Sequence, residues 1–229
     1  MILLFGIALL ATVFASCKSA STDPTASNAE GSSAAKIRVA CLGDSITLGE
    51  GVALSDSYPS KMQDLLGNQY LVLNFGYSGA AVGAGADLPY VETEAYRQAM
   101  ASAPDVVIIM LGTNDARHPN DTAAMLASFR DDYEALVLGF KDLATRPKVY
   151  LVTPIKVYGR TTAVDEAKLD RVIRPGIRKT AADLDLPLID FSDLMRDNPK
   201  NYQKDGLHVS PAGYVLMSQA LSRVLLGDS

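Results

Sequence analysis

One serine and one histidine stand where they could form a nucleophile and its base. Ser45 lies in the run Gly43-Asp44-Ser45-Ile46, directly after an apolar stretch at residues 37–42. Far along the chain, Asp205-Gly206-Leu207-His208 sets a carboxylate three residues before an imidazole, on a loop that ends in a helix start. His118 is the other histidine of the chain and lacks that setting. A serine, a base and an orienting carboxylate indicate acyl-transfer chemistry.

Five short apolar runs predict the strands that must position these groups. They are rich in Val, Ile and Leu with little polar alternation, which is typical of parallel strands buried on both faces. Helical spacing of apolar residues lies between them, and the alternation predicts a single three-layer α/β/α domain. The predicted strands are residues 37–42, 70–75, 106–111, 149–153 and 188–191.

Two predicted helices carry specific end or break signals. Ser210 followed by Pro211 predicts the start of a terminal helix, with Met217, Leu221, Val224 and Leu225 on its buried face. Apolar residues from Leu169 to Leu184 repeat at helical spacing, but Pro175-Gly176 should kink or interrupt that helix.

Composition and the N-terminal residues limit location and partners. The chain has 229 residues and a net charge of −5 without a basic stripe, which disfavours nucleic acid as a partner. Residues 1–16 resemble a bacterial lipoprotein signal ending before Cys17, the expected lipidation site, although no Lys or Arg precedes the apolar run. An ordinary secretory signal is the alternative. Residues 17–35 predict a flexible tether and 36–229 the folded domain.

Four sequence blocks follow one another at the predicted carboxyl edge of the sheet, where open parallel sheets form their sites. They read GDSIT, NFGYSG, GTND and DGLH. In this order they resemble the SGNH hydrolase (GDSL esterase) superfamily over residues 37–226. The resemblance implies a flavodoxin-like fold with five parallel strands in the order 2-1-3-4-5, and a serine esterase that needs no metal or cofactor.

The resemblance also implies a role for each block. Ser45 is the expected nucleophile, His208 its base, and Asp205 the carboxylate that orients His208. The backbone N–H groups of Ser45 and Gly79 and the side-chain amide of Asn114 are the expected oxyanion hole. Taken singly, these residues have simpler interpretations, since Ser45 could cap a helix and Asn114 could serve a turn.

The substrate is expected to be a small acyl ester, most plausibly an acetyl group on carbohydrate. Residues 37–47, 74–79 and 112–115, with Asp87-Leu88-Pro89-Tyr90, resemble bacterial carbohydrate O-acetylesterases of the sialate O-acetylesterase type. Two alternatives stay open. One is a lysophospholipase or thioesterase acting on longer acyl chains, and the other is a non-catalytic glycan-binding lipoprotein that keeps the fold. The esterase is expected in the bacterial cell envelope, as a membrane-anchored lipoprotein of the periplasm or outer membrane.

Other residues invite competing interpretations. Ser78 in Gly76-Tyr77-Ser78-Gly79-Ala80 approximates a G-x-S-x-G nucleophile elbow, but no confident helix follows it. Tyr150, Tyr158 and Arg160 could line a substrate cleft, although core packing and a solvated loop are favoured. Cys41 is expected in the core, and His118 on a surface loop near the mouth of the site.

Overall fold

The protein has a five-stranded parallel sheet in the order β2-β1-β3-β4-β5, as predicted. The structure is a computed structural model that describes residues 35–159 and 164–227. The proposed signal, Cys17, nearly all of the tether and Arg160 lie outside the described residues. The strands are β1 (Ile37–Gly43), β2 (Tyr70–Gly76), β3 (Val106–Met110), β4 (Lys148–Val152) and β5 (Leu188–Ile189).

Helices cover both faces of this sheet, and short 3-10 turns join them to the strands. No helix in the described part of the chain is both long and apolar enough to cross a bilayer. The helices are α1 (Ser45–Leu48), α2 (Tyr58–Leu66), α3 (Glu94–Ala101), α4 (Ala123–Lys141), α5 (Glu166–Lys168), α6 (Arg174–Asp183) and α7 (Pro211–Leu226).

The sheet separates two apolar cores, which explains why its strands lack polar alternation. Successive residues of β1 point to opposite faces, so Ala40 joins one core while Val39 and Cys41 join the other. Helices α3, α4 and α6 cover the first core, and α2 and α7 cover the second. Cys41 is fully buried, which confirms its predicted place in the core.

Strand β5 ends two residues earlier than predicted because a side chain takes the place of the backbone hydrogen bonds to β4. The Thr153 hydroxyl accepts from the Phe191 N–H at 2.9 Å and donates to the Asp190 carboxylate at 2.8 Å. The first bond satisfies the Phe191 N–H without a strand pairing.

The predicted break before α6 is present and lies one turn ahead of its proline. Residues Leu169–Ile173 form a π-helical segment between α5 and α6, and Pro175 stands at the start of α6. Proline has no N–H to donate to the carbonyl four residues earlier, so the preceding turn widens.

The terminal helix begins as predicted. The Ser210 hydroxyl accepts from the Gly213 N–H at 3.3 Å, and Pro211 occupies the first turn. Met217 and Leu221 are buried, but Val224 is 38% exposed, so its predicted place on the buried face is wrong. Leu225 is partly buried against the core, so Val224 lies on the solvent side of the helix at that point.

Candidate active site

The carboxyl ends of three adjacent strands bring three predicted blocks to one edge of the sheet. Gly43 pairs in register with Gly76 of β2 and with Met110 of β3. The Tyr77 N–H then donates to the Gly43 carbonyl at 2.9 Å, which holds the loop after β2 against the start of α1. The loops that follow β1, β2 and β3 therefore leave the sheet side by side.

A chain of two hydrogen bonds links Ser45, His208 and Asp205. Ser45 Oγ lies 3.0 Å from His208 Nε2, and His208 Nδ1 lies 2.6 Å from Asp205 Oδ2. A carboxylate can only accept, so Nδ1 carries the proton and Nε2 is left as the acceptor for the serine hydroxyl. Ser45 is 8% exposed, so the reacting oxygen is close to solvent but mostly shielded. The serine can therefore lose its proton to a base already in contact.

The loop that carries Asp205 and His208 is held by its own backbone. Asp205 Oδ1 accepts from the N–H groups of Leu207 and His208, each at 2.9 Å. Burial opposes ionisation, but the bonds from the His208 ring and from these N–H groups outweigh it and lower the pKa of Asp205. Gly206 has φ +70°, and a Cβ there would lie 2.1 Å from the Tyr158 carbonyl oxygen. This close approach requires glycine.

Ser45 is positioned by a short, strongly anchored helix. Asp44 caps α1 by accepting from the Ile46 N–H at 2.9 Å. The Tyr214 hydroxyl of α7 donates to the Ile46 carbonyl at 2.9 Å. A Cβ at Gly43 would lie 1.9 Å from Thr47 Oγ1, so the turn into α1 depends on glycine. Asp44 thus organises the turn from a fully buried position.

Asp44→Asn is expected to make the free energy of unfolding less dependent on pH. Burial raises the pKa of Asp44 from 3.8 to about 6. In the pH window between these two values, the folded chain keeps a proton that the unfolded chain releases. Wild-type stability therefore falls as pH rises through the window, by roughly 3 kcal/mol for this group. Asparagine keeps an acceptor for the Ile46 N–H and buries no charge.

Urea unfolding of both proteins at ~pH 4 and ~pH 7 measures the difference. Burial also raises the pKa of Asp115 to about 6, and that group is unchanged in the variant. The variant should therefore retain part of the wild-type pH dependence. An identical loss of stability in the two proteins would show that Asp44 is not the titrating group.

The predicted oxyanion-hole residues Gly79 and Asn114 lie on neighbouring loops that are joined by hydrogen bonds. Asn114 Nδ2 donates to the carbonyl of Ala80, the residue after Gly79, at 2.9 Å. A primary amide has two N–H groups, so one remains for a ligand. Gly79 has φ +80°, and within residues 35–159 and 164–227 its N–H has no acceptor. As the first residue of α1, Ser45 also has no intrahelical acceptor for its N–H.

Asp115 fixes the loop after Gly79, a role that the sequence analysis did not predict. Its buried carboxylate accepts from the N–H groups of Val82 and Gly83 at 3.0 and 2.8 Å. These two donors lower the pKa of Asp115, but burial has the larger effect and raises it. The only sequence signal for this role is that Asp115 directly follows Asn114 in the GTND block, which comes after β3.

The Asp87-Leu88-Pro89-Tyr90 block also serves this loop. The Tyr90 hydroxyl donates to the Phe75 carbonyl at 2.7 Å, and the Leu88 carbonyl accepts from the Ala81 N–H at 3.0 Å. Asn120 Nδ2 donates to Asp87 at 2.8 Å and to the Asn114 carbonyl at 3.2 Å. The block therefore positions the loop that carries Gly79, with Asn120 as a second residue that the sequence analysis missed.

The competing candidates have different surroundings. The Ser78 hydroxyl donates to the Glu50 carboxylate, whereas Ser45 contacts a histidine. The His118 side chain is 89% exposed, on the surface as predicted. Tyr150 is buried in the core, while Tyr158 is partly exposed. Across the described ranges, no group of three or more His, Cys, Asp or Glu residues is arranged to hold a metal ion.

This architecture defines the class of protein. A parallel sheet in the order 2-1-3-4-5, with a serine, a histidine and an aspartate linked at its carboxyl edge, is that of an SGNH-type carboxylic ester hydrolase. The chain belongs to the GDSL-like Lipase/Acylhydrolase family, whose sequence profile matches residues 41–216. The predicted fold, family and enzyme class are confirmed.

Similar proteins include esterases of several kinds. An acetylxylan esterase of Xylanibacter ruminicola is 31% identical over 82% of this chain, and the chain spans about 43% of that relative's length. A carbohydrate acetylesterase from Sinorhizobium meliloti is 20% identical, with a TM-score of 0.71 over 84% of this chain and 99% of its own. The M. smegmatis aryl esterase is 21% identical, with a TM-score of 0.70 over 85% of this chain and 100% of its own. The two solved structures share the fold.

Proposed function

We propose that this protein is a carbohydrate O-acetylesterase that uses Ser45 as nucleophile. The observation that carries the proposal is the chain of contacts from Ser45 Oγ to His208 Nε2 at 3.0 Å and from His208 Nδ1 to Asp205 at 2.6 Å. The similarity to an acetylxylan esterase supports acetyl groups on a polysaccharide as the substrate class.

In this mechanism, His208 transfers two protons, one in each half of the reaction. It removes the Ser45 proton as the oxygen attacks the acetyl carbonyl, and it donates that proton to the sugar oxygen as the carbon–oxygen bond breaks. The acetyl group is then bonded to Ser45. A water molecule loses a proton to His208, attacks the acetyl carbon and releases acetate, and the serine regains its proton. Asp205 holds the ring in the required tautomer and stabilises its cationic form.

The negative charge of each tetrahedral intermediate needs donors fixed before the reaction begins. The free N–H groups of Ser45 and Gly79 and the second N–H of Asn114 fit that need. The bond from Asn114 to the Ala80 carbonyl and the Asp115 bonds to the following backbone keep these donors from relaxing toward solvent.

Asn114→Ala is expected to lower kcat on 4-nitrophenyl acetate by about 10²–10³-fold while changing KM little, because the missing donor matters most in the transition state. Steady-state kinetics measure both parameters. Asn68→Ala is the matched control. Asn68 is exposed and lies just before the amino end of β2, whereas Asn114 lies at the carboxyl edge of the sheet. A loss of less than about tenfold in Asn114→Ala would remove Asn114 from the proposed oxyanion hole.

A substrate series tests the acyl preference. Initial rates are measured on 4-nitrophenyl esters from acetate to octanoate, followed by acetate release from acetylated xylan and from O-acetylated sialic acid. The proposal expects a steep fall in rate with acyl length and acetate release from at least one glycan. A rate that rises with acyl length would favour the lipid-acyl alternative, and no hydrolysis of any ester would favour a non-catalytic binding protein.

We also propose that Cys17 carries lipid and anchors the enzyme to an envelope membrane, which would be its only membrane contact. The small residues Ala15-Ser16 before Cys17 support this. Cys17→Ala is expected to move the protein from the membrane fraction to the soluble periplasmic fraction, because stable retention needs several acyl chains. Fractionation and intact mass measure this. An unmodified native N-terminus at Cys17 or downstream of it would refute lipidation.

A further inference from the structure

We infer that a groove beside Asp205 binds a pyranose unit of the glycan, an inference that rests on the proposed function. The groove encloses about 390 Å³ and is lined by two tyrosines, Tyr158 and Tyr202, together with polar residues that include Gln203, Lys204 and Asp205. We call it the tyrosine groove. Aromatic rings beside hydrogen-bonding side chains suit sugars, whose rings combine a C–H face with a rim of hydroxyls.

The two tyrosines form a stacked pair with one outer ring. Their ring centroids lie 5.5 Å apart with planes inclined by 24°. Tyr202 is the inner ring, since it is 6% exposed and its hydroxyl donates to the Lys156 carbonyl at 2.6 Å. Tyr158 is partly exposed and lines the groove. A sugar ring can therefore stack against Tyr158 without displacing a core contact.

The backbone beneath Tyr158 is fixed by a buried arginine. Arg174 is 1% exposed and donates to the carbonyls of Pro154 and Ile155 at 3.0 and 2.8 Å. The same guanidinium binds Glu166 at 2.6 Å, and Glu166 accepts from the Val157 N–H at 2.9 Å. A segment whose backbone is fixed in this way loses little conformational entropy when a ligand binds beside it. The mechanism proposed above does not use this network.

The tyrosine groove is joined to the catalytic loop. The Tyr158 N–H donates to the Gly206 carbonyl at 2.7 Å, and Asp205 both lines the groove and binds His208. Only the imidazole of His208 separates this carboxylate from Ser45 Oγ. A short oligosaccharide with its acetyl group at Ser45 can therefore extend into the groove, where Lys204 supplies a hydrogen-bond donor for hydroxyls.

Binding of unsubstituted xylohexaose to the Ser45→Ala protein tests the groove without catalysis. Xylose is the sugar unit that the name of the acetylxylan esterase relative implies. Adding Tyr158→Ala should weaken binding by about tenfold, the effect of losing one aromatic stacking contact. Tyr158→Phe should retain the affinity because it keeps the ring. Tyr70→Ala is the control, since Tyr70 is a partly exposed tyrosine at the amino end of β2, whereas Ser45 lies at the carboxyl edge of the sheet.

Kinetics on the active protein separate this inference from the proposed function. In Tyr158→Ala, the ratio of kcat/KM for acetylated xylo-oligosaccharide to that for 4-nitrophenyl acetate should fall about tenfold. If xylohexaose does not bind, or binds equally well with and without the Tyr158 ring, the inference that the groove binds a sugar is wrong. This holds even if acetylated xylan is hydrolysed. If the wild type hydrolyses 4-nitrophenyl acetate but no acetylated glycan, while xylohexaose binding still depends on Tyr158, the proposed function fails and the groove stands.

Discussion

Ser45→Ala is expected to lower kcat on 4-nitrophenyl acetate by about 10⁴-fold or more, because the acyl-enzyme cannot form without the serine oxygen. Residual turnover should come from the oxyanion donors and substrate binding, which do not depend on that hydroxyl. The substitution removes one oxygen from a small side chain and adds no bulk to the site. The fold should therefore persist, and circular dichroism and urea unfolding measure that. Mass spectrometry should show an acetylated intermediate in the wild type alone.

Ser78→Ala is the matched control for this experiment. Ser78 follows β2 on the adjacent loop, but its hydroxyl donates to Glu50 and not to a histidine. We expect this variant to keep activity close to the wild-type level. If Ser78→Ala abolished hydrolysis and Ser45→Ala did not, the nucleophile and the mechanism built on it would both be wrong.

His208→Ala is expected to reduce kcat to a similar extent, because the serine is a weak nucleophile without a base in contact. Removing both groups should cost no more than removing one, since they act as a unit. The double variant Ser45→Ala/His208→Ala should therefore match the single variants in residual rate. Initial rates at high enzyme concentration measure all three proteins.

His118→Ala provides the control, since His118 and His208 are the two histidines of the chain. Its side chain is 89% exposed, and its Nδ1 lies 3.5 Å from Asp121 Oδ1. Activity should be unchanged. Two results would contradict the assignment of His208 as the base. One is loss of activity in His118→Ala, and the other is a decrease in kcat of the double variant equal to the product of the two single decreases.

The folded domain could be predicted from sequence because its signals are local. Apolar runs without polar alternation indicate strands buried on both faces, and all five fall within two residues of their predicted ends. Ser210 and Pro211 mark the start of α7 by capping chemistry that acts over a single turn. The order of the strands came from the resemblance of the four blocks to a known family, and pairing in the structure confirms it.

The errors arise where a neighbour distant in sequence decides the outcome. Strand β5 is short because the side chain of Thr153, which directly follows β4, accepts the Phe191 N–H in place of a strand partner. Val224 follows the helical spacing but is 38% exposed while its neighbour Leu225 packs against the core, so periodicity alone could not place it. The spacing of residues describes a face of a helix, and the sheet beneath decides how much of that face is covered.

Sequence alone determined which residue types could do the chemistry and put them at strand ends. Tertiary structure decided which of them meet: Ser45 contacts His208 across a separation of 163 residues. It also revealed the support from Asp115, Asn120 and Arg174, which bind Gly83, Asp87 and Pro154 on other segments of the chain. Hydrogen bonds require a few ångströms and a defined direction, and only packing of the two cores against the sheet fixes both. The catalytic roles of these residues stay predictions that the variants above test.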